Sequence, residues 1–233
     1  MRKQALALSY ALMFNAAFKA FNDVTSPEFR GVFWKSIGLT LALFVAVLVG
    51  VETLLSFLTL VPLPWLQTVI ALGTGIGLIA AFFFLMAPVT AVFAGLFLDW
   101  IASRVEERHY PRDMKGSALS SFSAFFFGLK FAGIALLVNI IVFPLVFFAG
   151  FGLVLILLSN AYLLSREYFE MAASRFMSPA AASTLRKKNF LKIYVAGLVP
   201  AALAMIPFVN LAVPLFSTSY FVHIFKSVQR SSL

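Results

Sequence analysis

Long uncharged stretches alternate with charged clusters along this chain. The stretches 53–98, 131–165 and 193–225 carry no Lys, Arg, Asp or Glu, and each exceeds the roughly 18 apolar residues that indicate a membrane-spanning helix. Each is interrupted by proline near its middle, at Pro62 and Pro64, at Pro144 and at Pro207. The pattern predicts an all-α integral membrane protein built from three helical hairpins.

The hairpins differ in length. In the first, 27–110, the limbs 36–60 and 65–100 each exceed 20 residues, enough for two long transmembrane helices. The outward limbs of the other two, 131–143 and 193–206, have 13 and 14 residues. As helices these reach only about 20 Å, against a hydrocarbon core of about 30 Å. We therefore expect 117–165 and 186–226 to be half-penetrating, re-entrant hairpins.

The N-terminal region predicts an amphipathic helix. Within 4–22, Asn15 and Lys19 lie on one side of a helical wheel, and an apolar face lies opposite, composed of Leu6, Tyr10, Met13, Phe14, Ala17 and Phe21. Such a helix is suited to lie in the membrane interface. The whole chain, 1–233, is then a single membrane domain.

The second predicted spanning helix has two local features. Gly73 and Gly77 are spaced for close packing between helices. A GxGxxA pattern overlaps them, but no strand precedes it, so it does not indicate a dinucleotide site. Beyond Trp100 we expect the helix to continue towards His109 as a charged extension that Pro111 ends.

Composition and charge agree with a membrane protein. The chain is 62% hydrophobic and 12% charged, with 18 Lys and Arg against 9 Asp and Glu. All basic residues fall into four groups, 2–35, 104–130, 166–192 and 226–230, which the uncharged stretches separate. The positive-inside rule places these groups, and both termini, in the cytoplasm. This explains the basic excess without a nucleic-acid partner.

Apart from the GxGxxA pattern, the sequence contains none of the common catalytic or nucleotide-binding motifs. It contains no cysteine, no HExxH, no GxSxG and no P-loop, and His109 and His223 stand isolated. We therefore expect no enzyme activity, no catalytic residues, no cofactor and no metal site.

A basic region precedes the last hairpin, with Arg186, Lys187, Lys188 and Lys192. Lys188 and Lys192 are four residues apart and would face the same way on one helix. Two interpretations stay open. The region either collects a small anion on the cytoplasmic side or anchors the chain to anionic lipid headgroups.

The last 70 or so residues resemble a known family. The matching positions are Arg166, Glu167 and Tyr168, Arg175, the run 185–188, Ala196, Gly197 and Leu198, Ile206, Pro207, Asn210 and Leu211, Pro214, His223 and Phe225. This pattern is similar to that of the CysZ sulfate-permease and etoposide-induced membrane protein family. Before residue 160 the resemblance lies in the plan and spacing of the hairpins.

The resemblance implies two long spanning helices, two half-penetrating helical pairs and a homo-oligomer in the inner membrane. It also implies uptake of a small inorganic anion, sulfate, bound at a Gly-containing Thr-Ser motif with arginines close by. If this chain is such a transporter or channel, we expect the region of Gly197 and Leu198 to provide backbone donors for the anion. In place of the Thr-Ser pair that follows the family's glycine, this chain has Val199, Pro200 and Ala201. The alternative function is a non-transporting membrane scaffold or lipid-interacting hairpin protein.

Overall fold

The protein is described by a computed structural model. The structure describes residues 2–31, 97–118, 152–206 and 209–230. It also describes short helical pieces between residues 33 and 53 and between residues 133 and 141. Within these parts the secondary structure is helical and no strand is found. Pieces at 27–31 and 97–109 are helical as well. The longer helices are α1 (Arg2–Thr25), α2 (Gly152–Ser174), α3 (Pro179–Lys188), α4 (Phe190–Ala204) and α5 (Val213–Arg230), and a 3-10 turn, Val209–Ala212, leads into α5.

Among the described residues, no helix combines the length and the apolar character that crossing a membrane requires. Most of the predicted long hairpin, including 54–96, lies outside the described residues, as do Pro144, Pro207, Gly73 and Gly77. The spanning pair and the two re-entrant turns therefore stay predictions. The all-helical class is confirmed for the part of the chain that the structure describes.

Helix α5 lies at the centre of the described helices. It packs against α1, α2 and α4, and Tyr220, Phe221 and Phe225 on it are fully buried. The ring of Phe221 stacks on Tyr168 of α2, and that of Phe225 meets Phe169 edge-on. Since α5 is enclosed by its neighbours, several of its polar side chains are also buried, namely Ser217, Thr218, Ser219, His223 and Lys226.

Helix α1 presents two apolar faces. Met13, Ala16 and Ala20 are buried in the core, whereas Phe14, Phe18 and Phe21 have exposed fractions of 77%, 66% and 60%. The three phenylalanines recur at spacings of four and three, so they form one stripe on the helix surface. We name Phe14, Phe18 and Phe21 the phenylalanine stripe. The single apolar face expected from the sequence is thus divided, with Met13 turned inward.

A charged helix that continues past Trp100 and stops before Pro111 is confirmed, while the spanning segment that it was expected to extend lies outside the described residues. The helical piece 97–109 ends at His109, and the chain turns at Pro111, whose ring prevents a further helical turn. Val105 and Ile101 on this piece are fully buried. The extension is therefore part of the folded core.

Helix α3 is an element that the hydrophobic pattern did not reveal. It begins at Pro179, with Ser178 as N-cap, whose hydroxyl accepts from the Ala181 N–H at 3.3 Å. A proline at the first helical position fits because its missing N–H would have no partner there. Residues Arg186, Lys187 and Lys188 form the last turn of α3, so they do not begin the helix of the last hairpin.

Candidate functional site

A buried carboxylate lies where α1, the 97–109 helix and α5 meet. Asp23, near the end of α1, accepts from the Ser219 hydroxyl at 2.7 Å on Oδ2. Its Oδ1 accepts from His109 Nε2 at 2.9 Å and from Arg108 Nη1 at 3.4 Å. The Asp23 side chain is only 1% exposed. A buried charge of this kind requires such partners.

His223 of α5 completes the arrangement. Its ring lies 4.8 Å from that of His109, edge to face, and its Nδ1 is 2.7 Å from the Tyr110 hydroxyl. The other nitrogen, Nε2, is buried, has no hydrogen-bond partner among the described residues, and lies 3.9 Å from Asp23 Oδ2. We name Asp23, His109, Tyr110, Ser219 and His223 the polar cluster.

The protonation of Asp23 is set by these neighbours. Burial alone would raise the pKa of the carboxyl, but the facing polar groups of His223, Ser219 and His109 outweigh burial and hold the pKa at about 2. Asp23 is therefore ionised at neutral pH. It presents a negative charge to both imidazole rings.

The expectation that His109 and His223 are isolated is wrong, because both belong to the polar cluster and their rings contact each other. Asp23 is 86 residues from His109 and 196 from Ser219, so no local motif could reveal the contact. One indirect signal existed. Asp23 and His109 lie within charged groups expected on one side of the membrane, and His223 lies next to a third.

A second network closes the end of α2. Arg175, 1% exposed, donates from Nε to Glu106 at 2.9 Å and from Nη1 to Asp99 at 2.6 Å. Its Nη2 donates to the Ser103 hydroxyl at 2.8 Å. The other oxygen of Glu106 accepts from the Gly116 N–H at 2.8 Å. This guanidinium therefore ties α2 to the 97–109 helix and to the loop that follows it.

A third contact involves the end of α5. Lys226, 3% exposed on its side chain, lies 3.3 Å from Asp113, and Arg230 lies 3.5 Å from the same carboxylate. The Lys226 ammonium also sits 4.2 Å from the centre of the Phe176 ring. Together with the first two networks, these pairs join members of all four charged groups of the sequence.

The predicted anion-binding cations have different environments. Arg186 is buried and donates to Glu170 of α2 at 2.7 Å, whereas Lys187 and Lys188 are exposed. Lys192, in the first turn of α4, donates to the Ser227 hydroxyl at 3.3 Å. Arg186 therefore holds α3 against α2, and the exposed cations are Lys187 and Lys188.

The helix is interrupted between Lys188 and Lys192. Asn189 ends α3 with φ −110° and ψ 27°, and its N–H donates to the carbonyls of Leu185 and Arg186. The expected alignment of the two lysines on one continuous helix is therefore not observed.

Gly197 and Leu198 lie in the interior of α4. There the backbone N–H groups bond to carbonyls one turn earlier, and only the first turn of a helix has free donors. Gly197 instead packs against α2, where a Cβ atom would overlap the Ala161 carbonyl and lie 2.7 Å from the Ser165 Cβ. Its observed role is close helix packing.

The remaining motif positions are spread over the fold. Tyr168 is buried beside α5, and one buried carboxyl oxygen of Glu167 has no hydrogen-bond partner among the described residues. Arg166 is partly exposed, and Asn210 is exposed in the 3-10 turn. None of these four belongs to the polar cluster.

Comparison with known families gives one match. The sequence pattern of the family described as sulfate transporter CysZ/etoposide-induced protein 2.4 matches residues 16–214. The chain belongs to this family. The match confirms the resemblance seen in the sequence and extends it to α1, and it includes Asp23 and His109 of the polar cluster. No curated protein matches the sequence.

Proposed function

We propose that the chain is an inner-membrane protein that passes a small inorganic anion, with sulfate as the first candidate substrate. The observation that carries this proposal is the family match over 16–214. Its description names a sulfate transporter. In this proposal the protein is a transporter or channel and not an enzyme.

In this proposal the residues that attract the anion are cations near the start of the predicted hairpin 186–226. Lys187 and Lys188 are exposed, and Lys192 is partly exposed and linked to α5 through Ser227. Exposed charges attract anions over about 10 Å at 0.1 M salt. Arg186 is engaged by Glu170, so it acts by positioning α3.

The test is uptake of labelled sulfate into proteoliposomes, expressed per inserted molecule and compared with empty vesicles. The double variant Lys187→Gln with Lys188→Gln should lower the flux severalfold. Raised ionic strength should lower the wild-type flux in the same way, because salt screens exposed charges. The control, Arg112→Gln with Lys115→Gln, removes two other exposed cations and should change flux little. No uptake above empty vesicles would contradict the proposal, and equal losses in both double variants would contradict the role of Lys187 and Lys188.

We place both termini and the basic groups on the cytoplasmic side. The ion pairs that join all four groups support a common side. In the cysteine-free chain, single cysteines at the exposed positions Arg112 and Ala180 should react from the same side of oriented vesicles. Labelling from opposite sides would contradict this topology.

We also propose a homo-oligomer. Half-inserted turns need protein to shield their backbone, and several large apolar side chains of the described residues are exposed, among them Leu137, Ile141 and Leu153. Mass measurement in nanodiscs decides the point. A stable monomer with full helix content would contradict it.

The second candidate function is a non-transporting protein that organises lipids. The phenylalanine stripe favours it, because such a row of exposed aromatic rings on a helix suits the membrane interface. In that case the lysine double variant would lose binding to anionic membranes while the flux per inserted molecule stayed at background.

A further inference from the structure

Three side chains of the polar cluster offer metal-ligand atoms that converge. One atom each from Asp23, His109 and His223 lies within 4.8 Å of the other two. We propose that these residues form a binding site for a first-row divalent transition-metal ion of the Zn²⁺ class. The inference concerns the junction of α1, the 97–109 helix and α5, and it does not depend on transport.

The ligand types decide the class of ion. Imidazole nitrogen with carboxylate oxygen suits Zn²⁺, Co²⁺, Ni²⁺ or Fe²⁺, whereas Mg²⁺ and Ca²⁺ prefer oxygen ligands alone. Two histidines and one carboxylate are a known protein ligand set for zinc with a fourth position left open. The three residues supply this set without a contribution from the rest of the fold.

The geometry needs little adjustment. Ligands at about 2.0–2.2 Å from a tetrahedral zinc ion lie about 3.3–3.6 Å from one another. The observed separations are 2.9 Å from His109 Nε2 to Asp23 Oδ1 and 3.9 Å from His223 Nε2 to Asp23 Oδ2. These two distances run to different oxygens of the Asp23 carboxylate, and the ligand atoms of the three residues lie within 4.8 Å of one another. Side-chain shifts of about an ångström bring them to the required spacing.

His223 is oriented as a metal ligand. Its Nε2 is buried with no hydrogen-bond partner in the described part of the chain, and the ring is 3% exposed. Its Nδ1 meets the Tyr110 hydroxyl at 2.7 Å. Histidines that bind metals usually donate their second N–H to a polar partner, which fixes the ring and frees the other nitrogen. An ion at this point would satisfy an otherwise unpaired buried nitrogen.

Two neighbours contact the Asp23 carboxylate. Ser219 donates to Asp23 Oδ2 and holds the carboxylate in place. Arg108 lies 3.4 Å from Oδ1 and opposes a cation, but its side chain is 54% exposed and can turn into solvent. The carboxylate is then available to the metal. The ion replaces the hydrogen that joins His109 Nε2 to Asp23 Oδ1, and the neutral His109 ring carries its N–H on Nδ1.

The experiment uses the full chain, purified with an affinity tag that lacks histidine and treated with chelator. One equivalent of Zn²⁺ should remain bound after gel filtration, and Co²⁺ should give the visible absorption of a tetrahedral site. At a free Zn²⁺ concentration of 100 times the dissociation constant, the unfolding temperature should rise by about 5–10 °C. Mg²⁺ at the same concentration should cause no rise.

Variants separate the proposed ligands from other sites. His109→Gln and His223→Gln should each lose the bound equivalent and the Co²⁺ absorption. Glu107→Gln, an exposed carboxylate on the same helix as His109, should retain both. If His223→Gln does not fold, the partly exposed His109 still provides the test. Failure of the wild-type chain to retain Zn²⁺, or equal retention by His109→Gln, would overturn the proposal.

Discussion

Gly197 of α4 lies directly against the carbonyl oxygen of Ala161 in α2, with no room for a Cβ atom between the two helices. Around this contact Ala161, Ala196 and Ala201 are also fully buried. Small side chains allow two helix backbones to approach closely. The contact fixes how α4 sits on α2.

Gly197→Ala should therefore destabilise the protein. Helix propensity alone would favour alanine by about 0.5–1 kcal/mol, but the added methyl overlaps backbone that cannot move aside. We expect a net loss of about 1–3 kcal/mol, measured by reversible denaturant unfolding in detergent. Gly31→Ala is the matched control, because nothing lies within 4 Å of its Cβ position. Equal stability of the two variants would contradict the packing role.

Removing the Arg175 guanidinium should have a large effect. Arg175→Met leaves the Glu106 carboxylate buried, with a side chain 4% exposed, and without a cation, although the Gly116 N–H still donates to it. Breaking a buried pair in this way costs about 3–5 kcal/mol. Arg104→Met removes the exposed pair with Glu107, and such pairs contribute at most about 1 kcal/mol. Comparable losses in the two variants, measured by the same unfolding assay, would be inconsistent with the burial described.

Arg186 and Glu170 should be energetically coupled. Their 2.7 Å contact is largely buried, so a double-mutant cycle with Arg186→Gln and Glu170→Gln should give about 0.5–3 kcal/mol of coupling. The cycle of Lys187→Gln with Glu170→Gln is the control, since Lys187 is exposed and should couple weakly. If the two cycles gave the same value, Arg186 would not hold α3 against α2.

Glu167 should make stability depend on pH. Burial raises the pKa of this carboxyl well above its usual 4.5, although Arg166 opposes the rise. Above pH 4.5 the unfolded chain releases a proton that the folded chain keeps, so stability falls as pH increases towards the folded-state pKa. Glu167→Gln should remove this part of the slope and raise the unfolding temperature at neutral pH. Glu28→Gln, at an exposed position, should leave the slope unchanged, and a wild-type slope in Glu167→Gln would refute the prediction.

The sequence predicted those features that depend on neighbours along the chain. Pro111 marks the end of the 97–109 helix, and the amphipathic pattern of 4–22 marks α1. Ser178 followed by Pro179 was a usable signal for the start of α3, but the charged, short helix has no hydrophobic period that would draw attention to it.

The polar cluster could not be predicted in this way. Asp23 and His223 are positioned by the packing of α1 on α5, and nothing near either residue in the sequence specifies the other. Gly197 matched a family motif, which favoured a binding role. Its close approach to Ala161 depends on the path of α2, which spacing alone does not define.

Helix α5 is central to the fold but is the last of the described helices to be synthesised, which affects folding during translation. Asp23 and its partner Ser219 are 196 residues apart, so a ribosome adding about 5–20 residues per second needs about 10–40 s to supply the second after the first. During that interval α1 is synthesised but α5, which packs against it, is not. The Asp23 carboxylate therefore lacks its partners Ser219 and His223. Nascent chains halted before α5 should therefore be substrates for chaperones and proteases, and the finished protein should not be.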